Sequence, residues 1–185
     1  FFLLAGELMN AGGLSKRIIN FALTFVGHRR GGLGYVAIFA ALIMAALSGS
    51  AAADTAALAS ILIPMMREAG YNVPRSAGLM AAGGIVAPVI PPSIGFIVFG
   101  VAANVSITQL FLAGIVPGLM MGLSLVIAWW LVSRKEATRI LPRAPWSARA
   151  RAGIDGIFAL MMPVIILGGI KFGITTPTEA AVIAA

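Results

Sequence analysis

Leu47-Ser-Gly-Ser-Ala-Ala-Ala-Asp54 is a small polar island between two of the most apolar runs of the chain. Residues 34–47 before it are almost wholly apolar, and residues 51–66 after it carry only Asp54, Thr55 and Ser60 as polar groups. Each arm has about 15 residues, or about 22 Å as a helix, against a hydrocarbon core of about 30 Å. Neither arm is expected to cross by itself. Arg29 and Arg30 precede the first arm, Arg67 and Arg75 follow the second, and short basic connections stay on the cytoplasmic side of a membrane. The stretch therefore enters and returns. It reads as a re-entrant helical hairpin over residues 33–66, with Ser48, Gly49 and Ser50 at the tip. Non-helical backbone at that depth is tolerated where it is packed in protein or lines a cavity. Such a tip presents unpaired carbonyls from the first half-helix and unpaired N–H groups from the second, which attract cations and anions respectively.

Composition fixes the class. Hydrophobic residues make up 60% of the chain, charged residues 10%, and the mean hydropathy is +1.02, whereas a soluble domain is about 25% charged. The chain reads as an all-α integral membrane protein in contact with the lipid bilayer. A net charge of +7 would suggest nucleic acid in a polar chain. Here the basic residues sit between apolar runs, where they orient segments and meet lipid phosphates, so no nucleic-acid partner is expected. With no cysteine and His28 as the one histidine, disulfides, thiolate metal sites and two-histidine metal motifs are excluded. The start at Phe1 and the stop at Ala185 inside an apolar run lead us to expect a piece of a longer chain.

In order, residues 1–30 read as the end of a spanning helix, with Glu7 in it, and an interfacial amphipathic helix. In the latter Lys16, Asn20, Thr24 and His28 recur every fourth residue, a spacing that lines one helical face. Residues 31–107 read as one unit, made of the hairpin and a helix over residues 76–104 that is broken near its middle. Gly83 and Gly84 loosen that helix, while Pro88, Pro91 and Pro92 remove backbone donors and push the preceding residues out of helical geometry. Residues 108–133 make a spanning helix, with Trp129 and Trp130 in the aromatic belt at its end. Residues 134–152, with Arg134, Lys135, Arg139, Arg143, Arg149 and Arg151 against Glu136 alone, form a basic cytoplasmic loop. Residues 153–185 cross outward to about Lys171 and start a further helix, for which Thr178 and Glu179 make a helix-start signal. Glu179 sits early in that helix, as Asp54 does in the second arm of the hairpin, and is read as a helix cap or as a functional acid like it.

Five blocks now stand in one order along the chain: Ser48-Gly-Ser-Ala-Ala-Ala-Asp-Thr55, Ile63-Pro-Met-Met66 with Gly70-Tyr71, Ile90-Pro-Pro-Ser-Ile94, Leu110-Phe-Leu-Ala-Gly-Ile-Val-Pro-Gly118 and Thr176-Pro-Thr-Glu-Ala-Ala181. Together they resemble the large membrane subunit of TRAP (tripartite ATP-independent periplasmic) transporters, the DctM-like family. The resemblance runs the length of the sequence and covers under half of such a subunit, mostly its first inverted half. It implies an elevator-type ion-transporter fold with inverted repeats in the bacterial inner membrane, with residues 31–107 as its transport region, driven by sodium as coupling ion and without any other cofactor. It also implies two partners, a small membrane subunit and a periplasmic substrate-binding protein that delivers a carboxylate substrate. That substrate would be a C4-dicarboxylate, a sugar acid or a similar organic acid.

Sodium is a hard cation that takes carbonyl and hydroxyl oxygens. Ser48, Gly49 and Ser50 facing Gly83, Gly84 and Pro91 are the candidate cage, and Ser50, Asp54, Thr55, Pro92 and Ser93 are candidates for the substrate. The other reading of the serines is that they satisfy the turn's own backbone. Asp54, one turn beyond the tip, could favour the helix N-terminus, hold a cation or take a proton. No catalytic residue is expected: a serine hydrolase would need a base, and His28 lies on a cytoplasmic loop. The alternatives are an ion channel, since re-entrant hairpins also line pores, or another secondary transporter with re-entrant hairpins.

Overall fold

The computed structural model describes residues 12–134, 140–157, 161, 164, 165, 168 and 169. Glu7 and the first expected span, the end of the last span and the helix start at Thr178 and Glu179 lie outside them. Among the described residues the chain is helical, with no strand. The helices with both ends among the described residues are α1 Leu14–Val26, α2 Gly32–Ser48, α3 Ala51–Glu68, α4 Val73–Gly84, α5 Ile94–Ala103, α6 Ile107–Ser133 and α7 Trp146–Asp155.

Helix α1 is amphipathic as its fourfold spacing predicts. Ile18, Ile19 and Ala22 are buried, while Lys16 and Asn20 on the other side are exposed. It packs on α2 and, at its other flank, on α7, where Phe21 and Phe25 meet at 4.7 Å and the Arg149 guanidinium lies 5.9 Å from the Phe25 ring. The segment after residue 134 is thus not wholly loop: its second part winds into α7.

Helices α2 and α3 are joined by Gly49 and Ser50 alone. Gly49 ends α2 in the left-handed region at φ 60°, a conformation glycine adopts without the penalty a Cβ carries. The two helices run back along each other, and the Leu33 amide at the start of α2 donates to the Tyr71 hydroxyl just past the end of α3 at 3.4 Å. With 17 and 18 residues the arms are longer than the sequence suggested, about 26 Å each. That is close to the shortest spanning helices, so their charged ends, not their length, carry the argument for a hairpin with both ends on one side. The core lies between α1, α2, α3 and α4 and includes Ile38, Leu58, Leu62 and Met66.

The break after Gly84 is longer than a kink. Helix α4 starts at Val73, three residues before the expected position, because Asn72 accepts from the Arg75 amide through its side chain at 3.1 Å and Pro74 sits in the first turn. It stops at Gly84, residues 85–93 continue as turns and bends, and α5 resumes at Ile94. Ser93 restarts it by accepting from the Phe96 amide at 3.4 Å.

Helix α6, with 27 residues, is the one helix among those described that is long and apolar enough to cross a membrane. Pro117 does not interrupt it. Gly114, Gly118 and Gly122 are buried along one stripe at fourfold spacing, and a Cβ at these positions would meet Phe96, Ile90 and Leu42 respectively. Small residues at this spacing allow close helix approach in membranes, so the stripe seats α6 on α5, the break and α2 together. Outside, Val116, Leu119, Met120 and Leu123 are each at least 60% exposed. The two tryptophans part company at the far end of α6. Trp130 faces outward as expected of a belt residue, whereas Trp129 is buried, stacks on Tyr71 at 6.2 Å and donates its indole N–H to the Gly31 carbonyl at 2.9 Å. Neighbours on a helix point about 100° apart, so only one of a pair can face the lipid.

Candidate functional site

The hairpin tip and the break in the second helix meet. A Cβ built on Gly49 would stand 2.6 Å from the Pro92 carbonyl oxygen and 3.3 Å from the Ser93 Cα. Side-chain-free backbone at the tip therefore touches the unwound segment directly. One turn further on, the same two structures meet again: a Cβ on Gly84 would overlap the Thr55 hydroxyl and lie 3.2 Å from the Ala51 carbonyl. Gly83 abuts α2, its built Cβ 3.2 Å from that of Ala41. The glycines thus let α4 come close to both arms of the hairpin, and their carbonyls accept from the Val86 and Ala87 amides.

Within the tip, Ser48 ties the turn together. Its hydroxyl accepts from the Ser50 amide at 3.0 Å and donates to Asp54 Oδ1 at 2.6 Å. For Ser48, then, serving the turn's own backbone and holding Asp54 are one arrangement. Ser50 makes no side-chain cap on α3, which leaves its hydroxyl outside the helix-start network. Asp54 is 4% exposed, and Oδ2 is buried with no hydrogen-bond partner among the described residues. Asp54 does not cap α3 through its side chain; its amide donates to the Ser50 carbonyl instead. A buried oxygen without a donor is costly unless something supplies one, and this one is a hard-cation ligand by chemistry.

On the other side of the contact, Pro91, Pro92 and Ser93 are all buried. Ser93 Oγ donates to the Pro88 carbonyl at 2.6 Å while also capping α5, so this hydroxyl holds the break in shape. The arrangement brings Gly49 to Pro92 and Ser93, with Ser48 and Asp54 tied to each other at the tip, and Gly84 to Thr55 one turn on; Gly83 turns instead to Ala41 of α2, and Ser50 and Pro91 adjoin these residues in sequence. Sequence reasoning did not find the glycine stripe of α6 behind this site, although Gly114, Gly118 and Gly122 were visible at their spacing. Nor did it find the Ser48–Asp54 pairing, which depends on how the turn folds.

Comparison with known proteins places the chain in a family. Residues 1–185 match the family described as "Tripartite ATP-independent periplasmic transporter, DctM component". The chain is 57% identical over 189 residues to the 2,3-diketo-L-gulonate TRAP transporter large permease protein of Escherichia coli (strain K12), covering all of this chain and 44% of that protein. It is 44% identical over 185 residues to the C4-dicarboxylate TRAP transporter large permease protein of Vibrio cholerae, covering all of this chain and 41% of the relative. It is 42% identical over 183 residues to the sialic acid TRAP transporter large permease protein of the same species, covering 99% of this chain and 43% of the relative. The chain thus spans less than half the length of these curated relatives, which are permeases and not enzymes. A match along the whole sequence, at these identities, means that the chain belongs to the DctM component family of tripartite ATP-independent periplasmic transporters.

Proposed function

We propose that this chain forms the first half of the transport core of a large permease that takes up an organic acid together with sodium across the bacterial inner membrane. The observation that carries this reading is the meeting of the Gly49 tip with Pro92 and Ser93 beside the unpartnered oxygen of Asp54. Two interrupted helical elements touching at their breaks bring carbonyls, hydroxyls and helix N-termini to one place, an arrangement suited to binding a cation and a carboxylate side by side. Ser48, Gly49, Ser50, Gly83, Gly84 and Pro91 are the proposed sodium surroundings. Ser50, Asp54, Thr55, Pro92 and Ser93 are proposed to face the acid or to hold the ion next to it.

The proposed substrate is a sugar acid or related carboxylate, because a relative at 57% identity is named for 2,3-diketo-L-gulonate. A small membrane subunit and a periplasmic binding protein are the proposed partners, in keeping with the tripartite family description. The elevator-type motion is proposed on the same footing: the hairpin and the broken helix, packed as one unit through Gly83 and Gly84, would move as one body against a scaffold. Uptake of labelled sugar acid by the full-length permease in proteoliposomes, with its small subunit and binding protein, tests this reading. Saturable uptake that requires an inward sodium gradient supports it. Flux of ions without saturation or solute would make the protein a channel and overturn it.

A further inference from the structure

A groove of about 650 Å³ lies away from this site, between the α1–α2 corner and the outer side of α6. Its wall is apolar along Ile38, Phe39, Leu42 and Ile127 and ends in Arg29 and Arg30; among the described residues that line it none is acidic. The charged end is fixed in height. Trp129 donates to the Gly31 carbonyl at 2.9 Å, and a Cβ on Gly31 would stand 2.6 Å from the Ser133 Cβ, so the last turn of α6 and the Arg29–Gly31 corner lie at one level. There Arg134 sits 4.3 Å over the Trp130 ring, adding a third guanidinium beside the mouth. The corner is rich in cations on its other flank as well. His28 is held below its usual 6.5 by desolvation first and then by Arg149, Arg143 and Arg29, and Nε and Nη2 of Arg149 are buried without a hydrogen-bond partner among the described residues.

We propose that this groove is a binding site for one anionic phospholipid, with its phosphate at Arg29 and Arg30 and an acyl chain along Phe39, Leu42 and Ile127. Charge complementarity selects this occupant. The groove passes from guanidinium through the aromatic rings of Tyr35 and Trp130 to aliphatic side chains, the polarity order of a phospholipid from phosphate to tail. A packed transmembrane helix would have to bring an acid to the same end and nothing polar below it. The basic corner also lies on the side assigned to the cytoplasm, whose leaflet carries the anionic lipids.

The test uses the full-length permease with a bimane on Ile127→Cys as the one cysteine, reconstituted into phosphatidylcholine vesicles with a minor fraction of doxyl-labelled lipid. Doxyl-phosphatidylglycerol should quench the label more strongly than doxyl-phosphatidylcholine at equal fraction, a preference of about fivefold for each arginine engaged. Arg29→Gln with Arg30→Gln should abolish the preference, whereas Arg29→Lys with Arg30→Lys, which keeps the charge and checks folding, and Arg67→Gln, on α3, should keep it. Equal quenching by the two lipids in the unsubstituted groove would mean ordinary boundary lipid and overturn the proposal. Absence of quenching by either would mean that protein covers the groove, and would overturn it equally.

Discussion

Gly49 approaches the Pro92 carbonyl so closely that a Cβ on it would come within 2.6 Å of that oxygen, and this contact binds the hairpin to the broken helix. Gly49 has φ +60° and Gly70 has φ +81°, but a Cβ on Gly70 would meet nothing within 4 Å. Alanine at either position carries the left-handed backbone penalty of about 1–2 kcal/mol. Only Gly49→Ala also pushes Pro92 away. Thermal unfolding of the full-length permease should therefore show Gly70→Ala mildly destabilised with uptake retained, and Gly49→Ala more destabilised with uptake lost. Equal uptake in the two variants would show that the tip need not touch the break.

The second crossing point predicts a coupled pair. Gly84→Ala would drive a methyl into the Thr55 hydroxyl, overpacking of the kind that costs about 1–3 kcal/mol. Thr55→Ala removes that obstacle, so the double variant should recover part of the stability lost by Gly84→Ala alone. Residues in contact show such non-additivity, whereas distant ones add. Because the Ala51 carbonyl would still lie 3.2 Å from the new methyl, recovery should be incomplete. Strict additivity of the two unfolding midpoints would separate Thr55 from Gly84.

Topology follows from the placement of charge. Arg29, Arg30 and Arg67 flank the hairpin at its open end, and α6 leads to the basic residues from Arg134 onward. Single cysteines at the exposed positions Arg30, Glu68 and Arg143 should be protected from an impermeant thiol reagent added outside intact cells. One at Val105, 41% exposed between α5 and α6, should react. Reaction at Glu68 from outside would put the two ends of the hairpin on opposite sides.

Much of this was legible because interruptions in apolar sequence are conspicuous. Ser48-Gly-Ser50 divides one hydrophobic run and Pro91-Pro92-Ser93 another, and the helices stop and restart around both. Helix limits were less legible where a cap decided them, as Asn72 did for α4. What could not be read was which surfaces face each other. Gly114, Gly118 and Gly122 show a spacing but not that Ile90 and Leu42 fill it, and Trp129 differs from Trp130 only in the side of the helix it occupies. The bond from Ser48 to Asp54 spans six residues of sequence and exists because the turn at Gly49 folds back. Pairings across a turn are fixed by backbone geometry, which composition and periodicity do not contain.

Asp54 is the buried acid of the hairpin tip. Its Oδ1 is engaged by Ser48 at 2.6 Å and its Oδ2 has no partner, so on the proposed function Oδ2 helps hold the cation while the N-terminus of α3 beside it draws the substrate carboxylate. Ion and acid then bind cooperatively, and the coupling is reciprocal: whatever factor sodium gives the acid, the acid gives sodium, commonly about 1–3 kcal/mol. Asp54→Asn keeps an oxygen able to accept from Ser48 but replaces a carboxyl oxygen with an amide, which is no ligand for a hard cation on its nitrogen side. Half-maximal uptake should need about tenfold more sodium, a loss of roughly 1.4 kcal/mol, and the sodium dependence of acid affinity should flatten. Ser48→Ala leaves the carboxyl in place but releases Oδ1 and the Ser50 amide, costing about 1–3 kcal/mol of stability; as it also removes one neutral oxygen from the proposed sodium surroundings, coupling should weaken too, though less than on loss of the carboxylate. Uptake curves at several sodium concentrations, set beside unfolding midpoints, separate the two. If Asp54→Asn changes stability while leaving the sodium dependence of acid affinity as it was, Asp54 holds the turn together and the cation binds elsewhere.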